Sequence, residues 1–195
     1  MKTSKPSNRT VAYHEAGHIV AACRLLRGIK EAALGHHKSS KVEAAGFVIF
    51  RGAFSHHEGG KRAIPVKAPA RLAEHGFRDI VVKLAGPMAH ARLTKKGFDN
   101  VLDVWGRVDR EQARTVACHI TTGICYASFL GNRILLLSDE AQAVMERANV
   151  YARELVRDDW SLIEAVAKKL MASSLKHNDA LLARIERIQN PIWGA

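Results

Sequence analysis

The chain reads as mainly α with a small β-sheet, an α+β fold, and three observations predict it. Apolar residues recur at three- and four-residue spacing over 10–26 and again from residue 70 onward, the period of amphipathic helices. Residues 28–69 break that period, with Gly, His, Ser and Lys surrounding short apolar runs such as Ala44 to Phe50, the pattern of strands and their connections. Hydrophobic residues make up 47% of 195, enough to bury one sizeable core, so a single domain over 1–195 is expected.

Residues 1–9 are polar and read as a flexible lead-in. A first helix is expected over Thr10 to Leu26, with Thr10 as N-cap and Ala12, Ala16, Ile19, Val20 and Cys23 as its apolar stripe. Arg24 and Arg27 suit the negative end of its dipole, and Gly28 suits a left-handed residue just past it. Gly17 inside this helix costs about 1 kcal/mol relative to alanine, which points to close approach of another group to the backbone there.

Residues 28–69 form the strand and loop insert, with short strands expected within Val42 to Phe50. Phe47 to Phe50 could pair with an extended peptide by β-augmentation, or could simply cover the helices. The doublets His36-His37 and His56-His57 read as solvated loop residues, because adjacent side chains diverge and offer one metal ligand at most. Gly59 to Arg62 and Pro65 to Pro69 read as loop.

From residue 70 to about 190 the chain is expected to be helical, in segments near 70–95, 107–128, 138–157, 159–173 and 178–189. Lys95-Lys96-Gly97 marks a turn, and the loop after it lets Asp109 swing back toward the first helix. Ser138-Asp139-Glu140 combines a hydroxyl cap with acids in the first turn. Leu162, Val166 and Leu170, then Leu181, Ile185 and Ile188, form stripes of the kind used for core or subunit contact.

The most chemically loaded stretch is His14-Glu15-Ala16-Gly17-His18. Positions i and i+4 share one helix face, so both imidazoles can reach a single zinc ion, while Glu15 lies about 100° round the helix as a candidate general base. A catalytic zinc takes three protein ligands and leaves a position for water, so a further ligand must come from elsewhere. The metzincin pattern would need glycine at 21 and histidine at 24, where Ala21 and Arg24 stand. A thermolysin-like second-helix glutamate is not apparent either, since Glu31 and Glu43 lie in stretches without helical period. Spacing alone leaves the third ligand open.

Ala12 to His18 resembles the opening helix of the peptidase domain in the FtsH-type zinc metalloprotease family. Ile80 to Ala89 is similar to that family's helix with a Leu-Gly-Gly-Arg-x-Ala core, and Val108 to Ala117 to the helix that supplies an aspartate ligand. The resemblance extends more thinly to Val42–Phe50 and Ser138–Met171. It implies a helical, zincin-like peptidase domain carrying the motif on its first helix, with Zn2+ held by His14, His18 and Asp109 and with Glu15 as base. Pro87, His90 and Val108 replace the family's usual arginine, glutamate and asparagine, so the surroundings of the ligands differ. Asp103 and Glu111 are the fallback ligands.

The reaction so implied is hydrolysis of peptide bonds in protein or peptide substrates by a metal-activated water. Relatives work as hexamers with their own ATPase, but no phosphate-binding loop occurs here, and Gly59-Gly60-Lys61 lacks the required spacing and hydroxyl. The expectation is therefore a peptidase domain without the ATPase module, acting by itself or fed by a separate ATPase or unfoldase, with a homo-oligomer among the assemblies it allows.

The 30 basic and 19 acidic residues give a formal charge of +11, compatible with nucleic acid, acidic substrates or acidic partners, and charge alone does not choose among them. Basic residues are spread from Lys2 to Arg187 without a dense block or nucleic-acid module, so a nucleic-acid partner is not expected. No apolar run reaches a membrane span and the N-terminus has no signal-peptide core, so the expectation is a cytoplasmic protein without membrane association. Cys23, Cys118 and Cys125 fit neither a paired disulfide framework nor a Cys-x-x-Cys site and read as packing residues. The rival reading is a non-catalytic basic binding or adaptor protein on the same scaffold, its metal structural or absent.

Overall fold

In a computed structural model that describes residues 6–34, 46–50, 69–122 and 138–172, the chain is mainly helical. In chain order the elements are α1 (Asn8–Arg24), β1 (Ile29–Leu34), β2 (Gly46–Phe50), α2 (Pro69–Thr94), α3 (Phe98–Val104), α4 (Arg107–Thr122), α5 (Asp139–Asp158) and α6 (Trp160–Ala172). The positions 36–37, 42–45, 56–57 and 59–62, Cys125 and the segment 178–189 lie outside the described residues. No described helix is long and apolar enough to cross a membrane.

α1 begins earlier than its pattern suggests. Ser7, extended at φ −68 and ψ 154, is the N-cap, and its Oγ accepts from the Thr10 N–H at 3.2 Å. Thr10 is thus a first-turn residue and not the cap, and the lead-in is already helical at Asn8. The far end is also corrected: Leu26, which directly follows the C-cap Leu25 and has φ 60, is the left-handed C′ residue in the place expected for Gly28. The N–H groups of Leu26 and Arg27 bond back to the Cys23 and Ala22 carbonyls at 3.3 and 2.7 Å, the paired closure of a Schellman motif.

The two strands pair antiparallel from Ile29 opposite Phe50 to Leu34 opposite Gly46, with an irregularity between Ile29 and Glu31. This small sheet leans on α1 through both strands. Gly46 opens β2 directly against that helix, where a Cβ would come within 2.7 Å of Val11 and 2.8 Å of Glu15.

α2 is the central helix and touches α1, α3, α4 and α5. Its inward residues Ile80, Val81, Leu84, Ala85 and Ala89 are buried with Ile19 and Val20 of α1 and Ala113 and Ala117 of α4 in one core. The close approach anticipated at Gly17 is that of α2: a Cβ there would lie 2.5 Å from the Ala85 carbonyl oxygen and 2.8 Å from the Ala89 side chain. Pro87 sits inside α2, where it gives up one helical hydrogen bond. It is fully buried and packs on Gly106, whose absent side chain leaves it room.

The stretch read as a loop after Gly97 contains α3. It is only seven residues long and buries Val101 and Leu102. α5 is capped by Ser138, whose Oγ accepts from the Ala141 N–H at 3.2 Å, as its sequence indicates. Cys118 packs in the core, and the stripe of α6 buries Val166 and Leu170 fully and Leu162 partly.

Candidate metal centre

α1, α2 and α4 converge on one small cluster of polar side chains, apart from the buried Arg27–Asp79 ion pair. His14 and His18 stand one turn apart on α1, and Asp109 reaches them from the first turn of α4. His14 Nε2 lies 3.1 Å from Asp109 Oδ2 and 3.1 Å from His18 Nε2, and His18 Nε2 lies 3.5 Å from Asp109 Oδ1. His14, His18 and Asp109 form a group able to hold a metal ion among the described residues. Their side chains are 12%, 7% and 16% exposed.

His18 fixes the chemistry of the cluster. Its Nδ1 is 2.7 Å from the Val82 carbonyl oxygen, which can only accept, so Nδ1 carries the proton. In the neutral ring Nε2 is then a bare lone pair, aimed at a carboxylate and at a second imidazole nitrogen. A single proton on His14 Nε2 can serve only one of its two neighbours at 3.1 Å, whereas a cation among the three groups would serve all of them. Zinc bonds of about 2.0–2.2 Å in tetrahedral geometry place ligand atoms roughly 3.3–3.6 Å apart, close to the 3.1–3.5 Å found here. The donor set therefore fits zinc. The carbonyl bond to His18 is the kind of outer contact that orients a metal-binding imidazole.

Glu15 points under the start of β2 and is 6% exposed. Burial is the main cause that pushes its carboxyl up from 4.5 to about 7; His14 and Lys83 pull it down and Asp109 pushes it further up. A carboxyl poised near neutrality is suited to taking and returning a proton. Asp109 behaves oppositely. Burial works against its charge, but the charges of His18 and His14 and their hydrogen bonds prevail and hold the carboxyl well below the usual carboxylate range.

The fallback ligands are elsewhere. Asp103 is exposed and pairs with Arg110, and Glu111 is exposed beside Arg107. Neither joins the cluster. Sequence reasoning passed over the Val82 carbonyl, Lys83 and Trp105. Lys83 lies near both Glu15 and β2, with its Nζ 5.8 Å from the Phe50 ring centroid. His90, read only as a departure from the family pattern, is 3% exposed and sits between the rings of His14 and Trp105, with centroids at 6.2 and 6.4 Å. Burial, with help from His14 and Lys96, pushes it down to about 4 and so keeps it neutral. No spacing rule singles out a main-chain carbonyl or a lone aromatic, and only the packing of α2 and α4 reveals them.

No protein-family model matches the chain, and no curated protein matches it significantly.

Proposed function

We propose that the protein is a zinc-dependent metallopeptidase of a zincin-like kind, resembling the FtsH-type peptidase domain and hydrolysing peptide bonds in protein or peptide chains. The observation that carries this reading is the convergence of His14, His18 and Asp109 beside the buried carboxyl of Glu15. Bound there, zinc would supply Lewis-acid activation of water and of the scissile carbonyl. His14, His18 and Asp109 would hold the ion, and the Val82 carbonyl keeps the proton of His18 on Nδ1, leaving Nε2 free to bind the metal. Glu15 accepts the proton of the attacking water and returns it to the leaving nitrogen. His14 and, more weakly, Lys83 draw the Glu15 carboxyl down against the effect of its burial. The substrate arrives unfolded, or is delivered by a separate unfoldase.

A binding or adaptor role is the second reading, and the low exposure of Glu15 and of the three metal-side groups favours it, because a substrate must reach them. Zinc content and chelator-sensitive cleavage of casein, measured on wild type and Glu15→Gln, separate the two. The peptidase reading expects zinc in both proteins and cleavage by wild type alone. Zinc without chelator-sensitive cleavage in wild type supports the adaptor.

A further inference from the structure

α2 carries a second set of functional-looking residues on a different face. Val82, Gly86 and His90 follow one side of the helix, and at about 100° per residue Met88, Ala91 and Arg92 fall roughly opposite them. There a cavity of about 250 Å3 opens between the end of α2, the start of α3 and the last turns of α5. Its floor is apolar, made by Met88, Ala91, Phe98 and Val156. Its rim carries three arginines, Arg92, Arg153 and Arg157.

The rim is prearranged and undercompensated. Arg92 Nη1 donates to the Val156 and Arg157 carbonyls, both at 3.1 Å, and the guanidinium lies 4.4 Å from the Trp160 ring centroid. That geometry fixes its position without neutralising its charge. Arg153 has no ion-pair partner among the described residues, and it stands one helical turn before Arg157 on the same face. Arg157 is paired with the exposed Asp158 through Nε to Oδ1 at 2.7 Å and Nη2 to Oδ2 at 3.3 Å, with the Glu154 charge also nearby, so a peptide carboxylate would have to share or displace this solvent-exposed pair. Arginine forks bind carboxylates in pairs, so two anionic groups flanking an apolar one would match this rim and floor.

We propose that this cavity docks an acidic peptide segment by one apolar anchor residue, with carboxylates on either side of the anchor held by Arg153 and Arg157. The volume lies below the roughly 300 Å3 at which small-molecule pockets begin, and suits a single leucine- or phenylalanine-sized side chain. The apolar groups are recessed between charged ones. A membrane-inserting surface would need them protruding. The chain's +11 charge favours the approach of such a segment over a basic one. The site is independent of the metal cluster, and nothing in its recognition uses hydrolysis.

The test is fluorescence anisotropy of the labelled, amidated peptide Gly-Asp-Glu-Leu-Asp-Glu-Gly on the full chain in chelator, so that peptidase activity plays no part. Wild type should bind. Arg153→Glu with Arg157→Glu should weaken binding about tenfold or more, as should replacing the peptide's leucine by serine. A control with the same charge change at exposed positions elsewhere, Arg147→Glu with Lys168→Glu, should cost less than about threefold. Circular dichroism checks that both doubles are folded, since all four residues are exposed but Arg147 also lies over the partly buried Phe77 ring, 5.5 Å from its centroid. The proposal is overturned if wild type does not bind, if both doubles weaken binding equally, or if the leucine is dispensable. It is equally overturned if phosphatidylserine vesicles are bound in a manner sensitive to Arg153 and Arg157 while the peptide is not.

Discussion

Gly86 lies so close to the His18 imidazole that a β-carbon at position 86 would stand 2.3 Å from Nε2 and 2.4 Å from Cε1. The atoms threatened include the nitrogen that His18 turns toward His14 and Asp109, so this glycine is a requirement of the cluster and not of the helix. Gly86→Ala should move the ring, weaken zinc binding by about 10–100-fold and cost roughly 1–3 kcal/mol of stability. Zinc titration against a chromophoric chelator and a urea melt would measure both. Unchanged zinc affinity in a folded variant would show that the ring is not confined by this residue.

Asp109 and Asp103 lie on either side of Gly106 but differ in surroundings, and their alanine variants should differ accordingly. Asp109→Ala should lose zinc on dialysis, because two imidazoles alone make a weak site. Asp103→Ala removes only an exposed pair with Arg110, so it should keep zinc and lose no more than about 1 kcal/mol. Elemental analysis of the two proteins decides, and zinc retained by Asp109→Ala removes that residue from the ligand set.

In the metal-free protein the buried Glu15 gives stability a particular pH dependence. Its folded carboxyl lies near 7 against 4.5 in the unfolded chain, so the native state holds the proton more tightly. The penalty for burying the charge is absent below the unfolded value, grows as pH rises between them and is complete above about 7. Glu15→Gln carries no such penalty. Its stability relative to wild type should therefore increase from pH 5 to pH 8, by about 1–3 kcal/mol. Urea midpoints in chelator at the two pH values test this, and a pH-independent difference would mean that Glu15 is solvated.

Leu26 holds φ 60 at the end of α1 and is 52% exposed, so it bears the strain of a left-handed position with little packing in return. Leu26→Gly should stabilise the protein by about 0.5–1 kcal/mol, while Leu26→Ala, equally strained, should not. Thermal unfolding of the three proteins would show it. A loss of stability in the glycine variant would mean that the leucine's contacts outweigh its conformation.

The helices and the motif were legible because they rest on local rules. Apolar spacing locates α1, α2, α5, α6 and the start of α4 to within a few residues, and a hydroxyl followed by two acids marks the start of α5. Local rules misplaced the cap of α1, where Ser7 and Thr10 are both hydroxyl residues and only backbone conformation chooses between them. They also missed α3, whose seven residues are too few to show a period. At the site, His14, Glu15 and His18 follow from helical geometry, whereas the position of Asp109 depends on how α4 returns across α2. The Val82 carbonyl carries no side-chain signal at all.

The two halves of the cluster come from positions 95 apart in the chain, with α2 packed between the helices that bear them. An ion bridging His14 and Asp109 would close a long loop, so its binding energy would be felt by the whole domain and not by one turn of helix. Excess free zinc at a hundred times its dissociation constant would add about 2.7 kcal/mol to the native state. His14, His18 and Asp109 meet only where α1, α2 and α4 are docked, so a bound zinc would report that these three helices are in place.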